Sequence, residues 1–257
     1  PSLSEENITY AALNSTANIQ VWDVSEIGDV KRVPTRLNKD RLIFTVKTRP
    51  TVGRYIVVNW GGSFPTPEVV GNVNNQNLDA IKDIEYMVVT NPEFIDQAKE
   101  IAEFHQKEDG MSVAVVTADQ VFNEFSSGTP DPTAIRALMK MLWDRAAKSE
   151  YGIYPQYLLL IGDGTYDNRG RLKLNDNNKM LTYQSVRSLN ETSSFSSDDY
   201  FGYVEDGTLG YNNLYTNKQI NIGVGRFPVV KKEQAETLVN KVKQYYALEP
   251  GEWRTKI

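Results

Sequence analysis

The chain of 257 residues contains no cysteine and a single histidine, His105. The absence of cysteine excludes disulfides, thiolate metal sites and a cysteine nucleophile within these residues. A serine–histidine–aspartate triad would have to use His105, because the chain offers no other imidazole. His105 falls on the apolar stripe of a predicted helix, where packing is a commoner role than catalysis. The lack of cysteine and the single histidine limit the reactions that these residues can catalyse.

Basic residues are outnumbered, and long apolar runs are missing. The 28 Lys and Arg residues face 33 Asp and Glu residues, which gives a net charge of -5. No basic stripe is available to neutralise nucleic-acid phosphates, so we expect no nucleic-acid partner. No run approaches the roughly 18 consecutive apolar residues of a membrane span, so we expect no transmembrane segment.

What is present is a series of short apolar runs separated by amphipathic segments. The run at 157–161 is too short for a helix and ends in Gly-Asp-Gly, which is typical of a strand buried on both faces. Similar runs occupy 85–90, 111–117 and 220–227. Asn91 and Asp131, each followed by proline, are predicted to cap the helices between them. The alternation predicts an α/β fold, with residues 157–161 in a central strand of a parallel sheet.

Residues 1–80 have a different pattern, in which apolar and polar side chains alternate. The predicted strands are 19–24, 41–47 and 54–60. Turn-like segments join them, so we expect antiparallel β-structure. The predicted core residues are Trp22, Phe44 and Val57. So few strands bury too little surface to stand alone, and we interpret this segment as the tail of a larger β-domain, followed by an α/β domain at 81–257.

Acidic residues follow the central strand. They are Asp163, Asp167, Asp198 and Asp199. The connection at 165–219 is unusually long, and such loops are often functional. One hypothesis is that these carboxylates hold calcium or magnesium. The hypothesis we favour is a structural loop cluster of these four aspartates and Arg226. In it Asp163, Asp198 and Asp199 lie near Arg226, because a guanidinium at the end of a buried strand needs a partner.

Three of these segments, in this order, resemble the gingipain-type cysteine peptidases. They are residues 157–168, 197–202 and 222–228. Within that family the resemblance is greatest to the sortases of the type IX secretion system, and it extends over about 84–247. The resemblance implies a caspase-like parallel sheet between helices, in a peptidase region made of two similar α/β halves.

The resemblance also implies where the catalytic residues lie. In the family, the catalytic His and Cys belong to the second half, after a Gly-His pair and the strand that follows it. This chain has neither motif, so it corresponds to the first, non-catalytic half, and its catalytic residues are expected beyond residue 257. Arginine-specific gingipains carry a calcium loop at the place where this chain has Glu205 and Asp206. A further acidic ligand is missing at 208–215, so we expect no cofactor, with calcium as the one candidate.

The predicted function follows from this comparison. We expect a fragment of a gingipain-like cysteine endopeptidase or sortase that acts on secreted cell-surface proteins, located outside the cell or on the outer membrane of a bacterium. Its expected partners are a protein or peptide substrate and the remaining half of the peptidase domain. One alternative is a non-catalytic surface module that binds a peptide or glycan, and the other is a metal-dependent hydrolase that uses the loop carboxylates. An exposed sheet edge would favour the fragment, and carboxylates converging on one point would favour the hydrolase.

Overall fold

A computed structural model describes residues 7–69, 71–171, 177–185, 190, 192–207, 219–249 and 251–252. The chain divides into two compact units, Pro1–Val73 and Asn74–Ile257, and each has its own hydrophobic core. The division falls in the polar connector that precedes residue 80. Within the described ranges, none of the helices has the length and apolarity needed to cross a lipid bilayer.

The first unit consists of six short strands in two sheets. They are β1 (Asn7–Ala12), β2 (Ile19–Asp23), β3 (Lys31–Val33), β4 (Thr35–Asn38), β5 (Arg41–Lys47) and β6 (Tyr55–Asn59). The strand orders are β1-β5-β4 and β3-β2-β6, and neighbouring strands are antiparallel. The antiparallel β-structure predicted for this segment is confirmed.

The core of the first unit differs in part from the predicted one. Its buried residues are Val21, Val33, Leu42 and Phe44. Val21 is buried and its neighbour Trp22 only half-buried, because successive residues of a strand point to opposite faces. The prediction of Val57 was wrong: it pairs with Val21 but lies on the edge strand β6, where it remains 48% exposed.

The second unit contains a four-stranded parallel sheet. Its strands are β7 (Tyr86–Thr90), β8 (Val113–Thr117), β9 (Tyr157–Ile161) and β12 (Gly223–Phe227). The order is β12-β9-β7-β8, so β9 is an interior strand and is parallel to both of its neighbours. The predicted parallel sheet with residues 157–161 in an interior position is confirmed. Two short strands in the loop before β12 pair antiparallel, β10 (Tyr183–Gln184) and β11 (Ser196–Ser197).

Four helices accompany this sheet. They are α1 (Ile95–Glu108), α2 (Ala118–Phe125), α3 (Pro132–Lys148) and α4 (Lys232–Ala247). The Asp131 side chain accepts a hydrogen bond from the Thr133 N–H and caps α3, with proline in the first position. Asn91 caps the single turn of 3-10 helix that leads into α1. A reciprocal pair between Thr117 and Gln120 begins α2 directly after β8.

The alternation of side chains along β9 places helices on both faces of the sheet. Leu158 and Leu160 face one core cluster, which α2 and α3 share. Leu159 and Ile161 face the other, which α1 and α4 share. All four are at most 5% exposed. Burial on both faces explains why this strand reads as a continuous apolar run, and the predicted α/β layer is confirmed.

Truncation of an interior side chain should show how much this packing contributes. We expect Leu160→Ala to lower the free energy of unfolding of the second unit by about 2–5 kcal/mol, because it removes buried methyl groups and leaves a cavity. Leu248→Ala is the matched control, since Leu248 is 53% exposed and its truncation should cost less than about 0.5 kcal/mol. Urea unfolding followed by circular dichroism measures both. Equal losses in the two variants would contradict the assignment of β9 to the interior.

Candidate functional site

The carboxyl ends of the parallel strands meet at one edge of the sheet, where open α/β folds place their ligands. The loop after β9 is fixed there by backbone contacts. The N–H groups of Lys179 and Met180 both donate to the carbonyl of Asp163 at 2.8 Å, and the Asp163 N–H donates to the carbonyl of Val229 at 2.8 Å. The start of the long connection is therefore tied both to its own middle and to the segment after β12.

Arg226, the next-to-last residue of β12, forms the centre of this edge. Its Nε and one Nη2 hydrogen donate to the two carboxylate oxygens of Asp198 at 2.6 and 2.7 Å. Its other Nη hydrogens donate to the carbonyls of Gly162, Met180 and Leu181 at 2.8, 3.1 and 3.0 Å. A guanidinium has five N–H donors, so each of them has an acceptor here. The Arg226 side chain is only 13% exposed.

Asp198 is held by a second donor. Its Oδ1 also accepts from the hydroxyl of Thr182 at 2.9 Å. The paired charges are largely withdrawn from water, and removal of one partner from such a pair leaves the other charge buried without compensation. We call Arg226, Asp198, Thr182 and the three carbonyls the arginine cluster. Through this cluster one side chain of β12 holds three parts of the chain. They are the loop after β9, the segment around residues 180–182, and Asp198 directly before the 3-10 helix.

Asp163 lies beside the arginine cluster but is not its counter-ion. Its carboxylate accepts from the N–H of Gly164 at 2.9 Å, and the five donors of Arg226 are already used. The two glycines that flank Asp163 are required by close packing. Gly162 has a φ of 139°, and a Cβ on Gly164 would lie 2.7 Å from the carbonyl oxygen of Met180.

The other two loop aspartates make local contacts. The Asp167 carboxylate accepts from the backbone N–H of Arg171 at 3.0 Å. Asp199 begins the 3-10 helix Asp199–Gly202, and its N–H donates to the Ser197 hydroxyl at 3.2 Å. Of the residues predicted for the loop cluster, the structure thus brings together Asp198 and Arg226, with Asp163 adjacent through its backbone.

The candidate metal ligands are Glu205 and Asp206. Asp206 forms an ion pair with Lys140 at 2.9 Å, and this hydrogen bond lowers the pKa of the Asp206 carboxyl. Across the part of the chain that the structure describes, no three His, Asp or Glu side chains are grouped as metal ligands would be. Residues 208–215, where a further ligand was predicted to be missing, lie outside the described residues. Calcium at this place stays a prediction.

His105 lies at the opposite end of the sheet. Its ring is 5.2 Å from that of Tyr86, the first residue of β7, and its Nδ1 is 2.6 Å from an oxygen of Asp109. The arginine cluster therefore contains no imidazole, and it holds no nucleophilic thiol because the chain has no cysteine. Its groups are a saturated guanidinium, one carboxylate and backbone carbonyls, which can shape a loop edge but cannot attack a peptide bond.

Two comparisons with known proteins found a match. The sequence profile of Peptidase family C25 matches residues 79–257. The crystal structure of dimeric latent PorU from Porphyromonas gingivalis aligns with a TM-score of 0.80 and 30% sequence identity. The alignment covers 98% of this chain and 24% of the PorU chain, so the chain spans about a quarter of the length of PorU. A search among curated proteins found no match.

The arginine cluster predicts a strong effect of Arg226→Met. The substitution leaves Asp198 and three carbonyls without their donor, and we expect a loss of about 3–5 kcal/mol in the free energy of unfolding. Lys243→Met is the control: Lys243 pairs with Glu100 at the surface, 35% and 45% exposed, and its loss should cost less than about 1 kcal/mol. Chemical denaturation of the second unit measures both. A near-neutral Arg226→Met would show that the long connection is held by other contacts.

The same geometry predicts the response to calcium. Because Asp198 is already neutralised by Arg226, we expect millimolar calcium chloride to leave the melting temperature unchanged relative to magnesium chloride. A ligand that binds only the folded state raises the melting temperature by mass action. A specific rise with calcium that Asp206→Asn abolishes would establish the calcium loop instead.

Proposed function

The chain belongs to peptidase family C25, the gingipain family, and from this premise we propose that it is the scaffold half of a PorU-type cysteine peptidase or sortase. The observation that carries the proposal is the combination of a family match over 79–257 with a complete absence of cysteine. A cysteine peptidase needs a thiolate, so the nucleophile has to come from another part of the parent protein.

The reaction of the parent protein follows from thiolate chemistry. The thiolate attacks the carbonyl carbon of a peptide bond, the C–N bond breaks, and the amine leaves with a proton from a general acid. The resulting thioester is resolved by water in a peptidase, or by an amine acceptor in a sortase. In this proposal the chain contributes none of these groups. It contributes a fixed loop edge against which the cleft can form.

The arginine cluster is the feature that suits this scaffold role. The long connection between β9 and β12 has little regular structure of its own in its described parts, with β10, β11 and a 3-10 helix. Arg226 fixes three separate points of it by direct hydrogen bonds. A wall of a peptide-binding cleft has to be rigid if the scissile bond is to be held in one geometry.

A surface groove beside β12 supports the proposal that the second unit packs against another part of the parent protein. A groove of about 380 Å³ runs between the end of β12 and α4, and its apolar walls include Phe227, Leu238 and Val242. Tyr245, which also lines it, is 49% exposed. We propose that the remaining half of the peptidase domain packs here and completes a caspase-like arrangement. An apolar groove between a strand end and a helix is what such a division would leave.

The setting of the parent protein is part of the same proposal. Similarity to PorU supports a protein of the type IX secretion system that acts on secreted cell-surface proteins, itself secreted or held on the bacterial outer surface. A non-catalytic peptide- or glycan-binding module and a metal-dependent hydrolase stay the alternative predictions. In the described part of the chain the loop carboxylates serve capping and ion-pair roles.

The proposal predicts that the 257-residue chain does not cleave peptides. Fluorogenic peptides with arginine, lysine or mixed residues before the reporter should give no turnover under reducing conditions, whereas the full-length parent should give turnover that iodoacetamide abolishes. The control is the chain carrying His105→Ala. Turnover by the wild-type chain that persists in this variant would overturn the scaffold assignment, as would a parent protein whose activity resists alkylation.

A further inference from the structure

A second cavity lies at the amino ends of the strands, opposite the arginine cluster. It has a volume of about 500 Å³ and opens where β7, β9 and β12 begin, at Tyr86, Tyr157 and Gly223. Further walls come from His105 of α1, from Asp109 directly after that helix and from Tyr246 of α4. Cavities of this size hold small organic ligands or one or two side chains of a peptide. We call it the amino-end pocket.

The rings around the amino-end pocket meet nearly at right angles. The planes of Tyr157 and Tyr86 meet at 79° with centroids 6.1 Å apart, and those of Tyr86 and His105 at 73° and 5.2 Å. His105 and Tyr246 follow at 76° and 5.9 Å. In an edge-to-face pair one ring covers only one face of the other, and the face of an aromatic ring carries negative electrostatic potential. The arrangement is that of an open aromatic box.

One carboxylate supplies the charge of the box. Asp109 accepts from the His105 ring at 2.6 Å and from the Tyr246 hydroxyl at 3.1 Å, both through the same oxygen, Oδ2. The described lining of the pocket includes no lysine or arginine. Burial raises the pKa of the Tyr86 phenol, so this wall stays neutral at physiological pH. A cation entering the box would therefore meet aromatic rings and the Asp109 carboxylate, which it would share with His105.

The floor of the pocket lies on β12, which is an edge strand among the residues that the structure describes. Gly223 and Gly225 of β12 present no side chains, and a Cβ on Gly225 would have Leu159 as its nearest neighbour at 3.9 Å. The Gly223 N–H donates to the carbonyl of Gln156 on the β9 side at 2.8 Å. The N–H and C=O of Val224 point the other way, because alternate residues of a parallel strand bond to opposite sides. An extended peptide could pair with this edge beside the pocket.

We propose that the amino-end pocket binds an organic cation, the ammonium of a lysine or the guanidinium of an arginine, carried by a peptide that pairs with the edge of β12. Cation–π attraction to Tyr86, Tyr157 and Tyr246 and the charge of Asp109 act on the same guest. A neutral apolar guest would desolvate Asp109 without compensation, which disfavours it. The site is separate from the carboxyl edge at which the scaffold role was assigned, and it does not depend on that role.

Titration of the 257-residue chain with three small probes tests the ligand class. The probes are Nα-acetyl-lysine N-methylamide, its neutral isostere Nα-acetyl-norleucine N-methylamide, and butylamine as a free amine. We expect saturable binding of the lysine compound, followed by NMR shifts of the tyrosine rings, about tenfold tighter than that of the norleucine compound. Equal binding of the lysine and norleucine compounds, or no saturable binding, would overturn the cation site. Equal binding of butylamine would overturn the peptide as its source.

Variants locate the site. Asp109→Asn should weaken binding of the lysine compound about tenfold. Asp96→Asn, in the first turn of α1 and paired with Lys232, should leave it unchanged. Gly225→Val adds a side chain to the floor at an exposed strand position and should abolish binding while the melting temperature is retained. If Asp109→Asn fails to fold, Gly225→Val decides alone. Undiminished binding in the folded Gly225→Val variant would contradict the site.

Discussion

The carboxyl edge of the second unit depends on one guanidinium in a sheet strand. Arg226 belongs to β12 and is largely buried, so its charge has to be met within hydrogen-bond distance. Asp198 and three carbonyls meet it, and they come from the loop after β9 and from two later points of the same connection. That connection has few regular elements to hold it. Its path over the sheet edge is therefore set by the acceptors that Arg226 requires.

Successive side chains of β12 point to opposite faces of the sheet, and the two faces have different neighbours. Arg226 points to the face on which the long connection lies, whereas Gly223 and Gly225 point to the face of α1 and α4 and leave the floor of the amino-end pocket open. The register with β9 fixes both, since a slip of one residue would exchange the faces. A single short strand thus determines the loop edge at one end of the sheet and the aromatic box at the other.

The features of the fold that depend on neighbouring residues in the sequence could be predicted from it. The run at 157–161 indicates an interior strand because both of its faces are apolar, and Asp131 before proline marks a helix start. A need for a counter-charge near Arg226 also follows from its position. Its carbonyl acceptors could not be predicted, because every residue carries a carbonyl and only the fold selects three. Likewise Tyr86, His105 and Tyr246 come from separate elements, and no spacing in the sequence marks them as one box.

Within the described residues, β12 is an edge strand of the parallel sheet. Helix α1 links β7 to its neighbour β8 over one face, and α4 lies on that same face, as their shared core cluster shows. Crossovers between parallel strands are right-handed, so all crossovers on one face of a sheet move in the same direction along it. The crossover through α1 moves from β7 to β8, and a crossover from β12 through α4 would move in that same direction, toward β9. A parallel strand that α4 fed would therefore not lie on the outer side of β12. In the described part of the chain no strand pairs with the outer side of β12, beside the aromatic box, and a strand that occupies it has to reach it by another path.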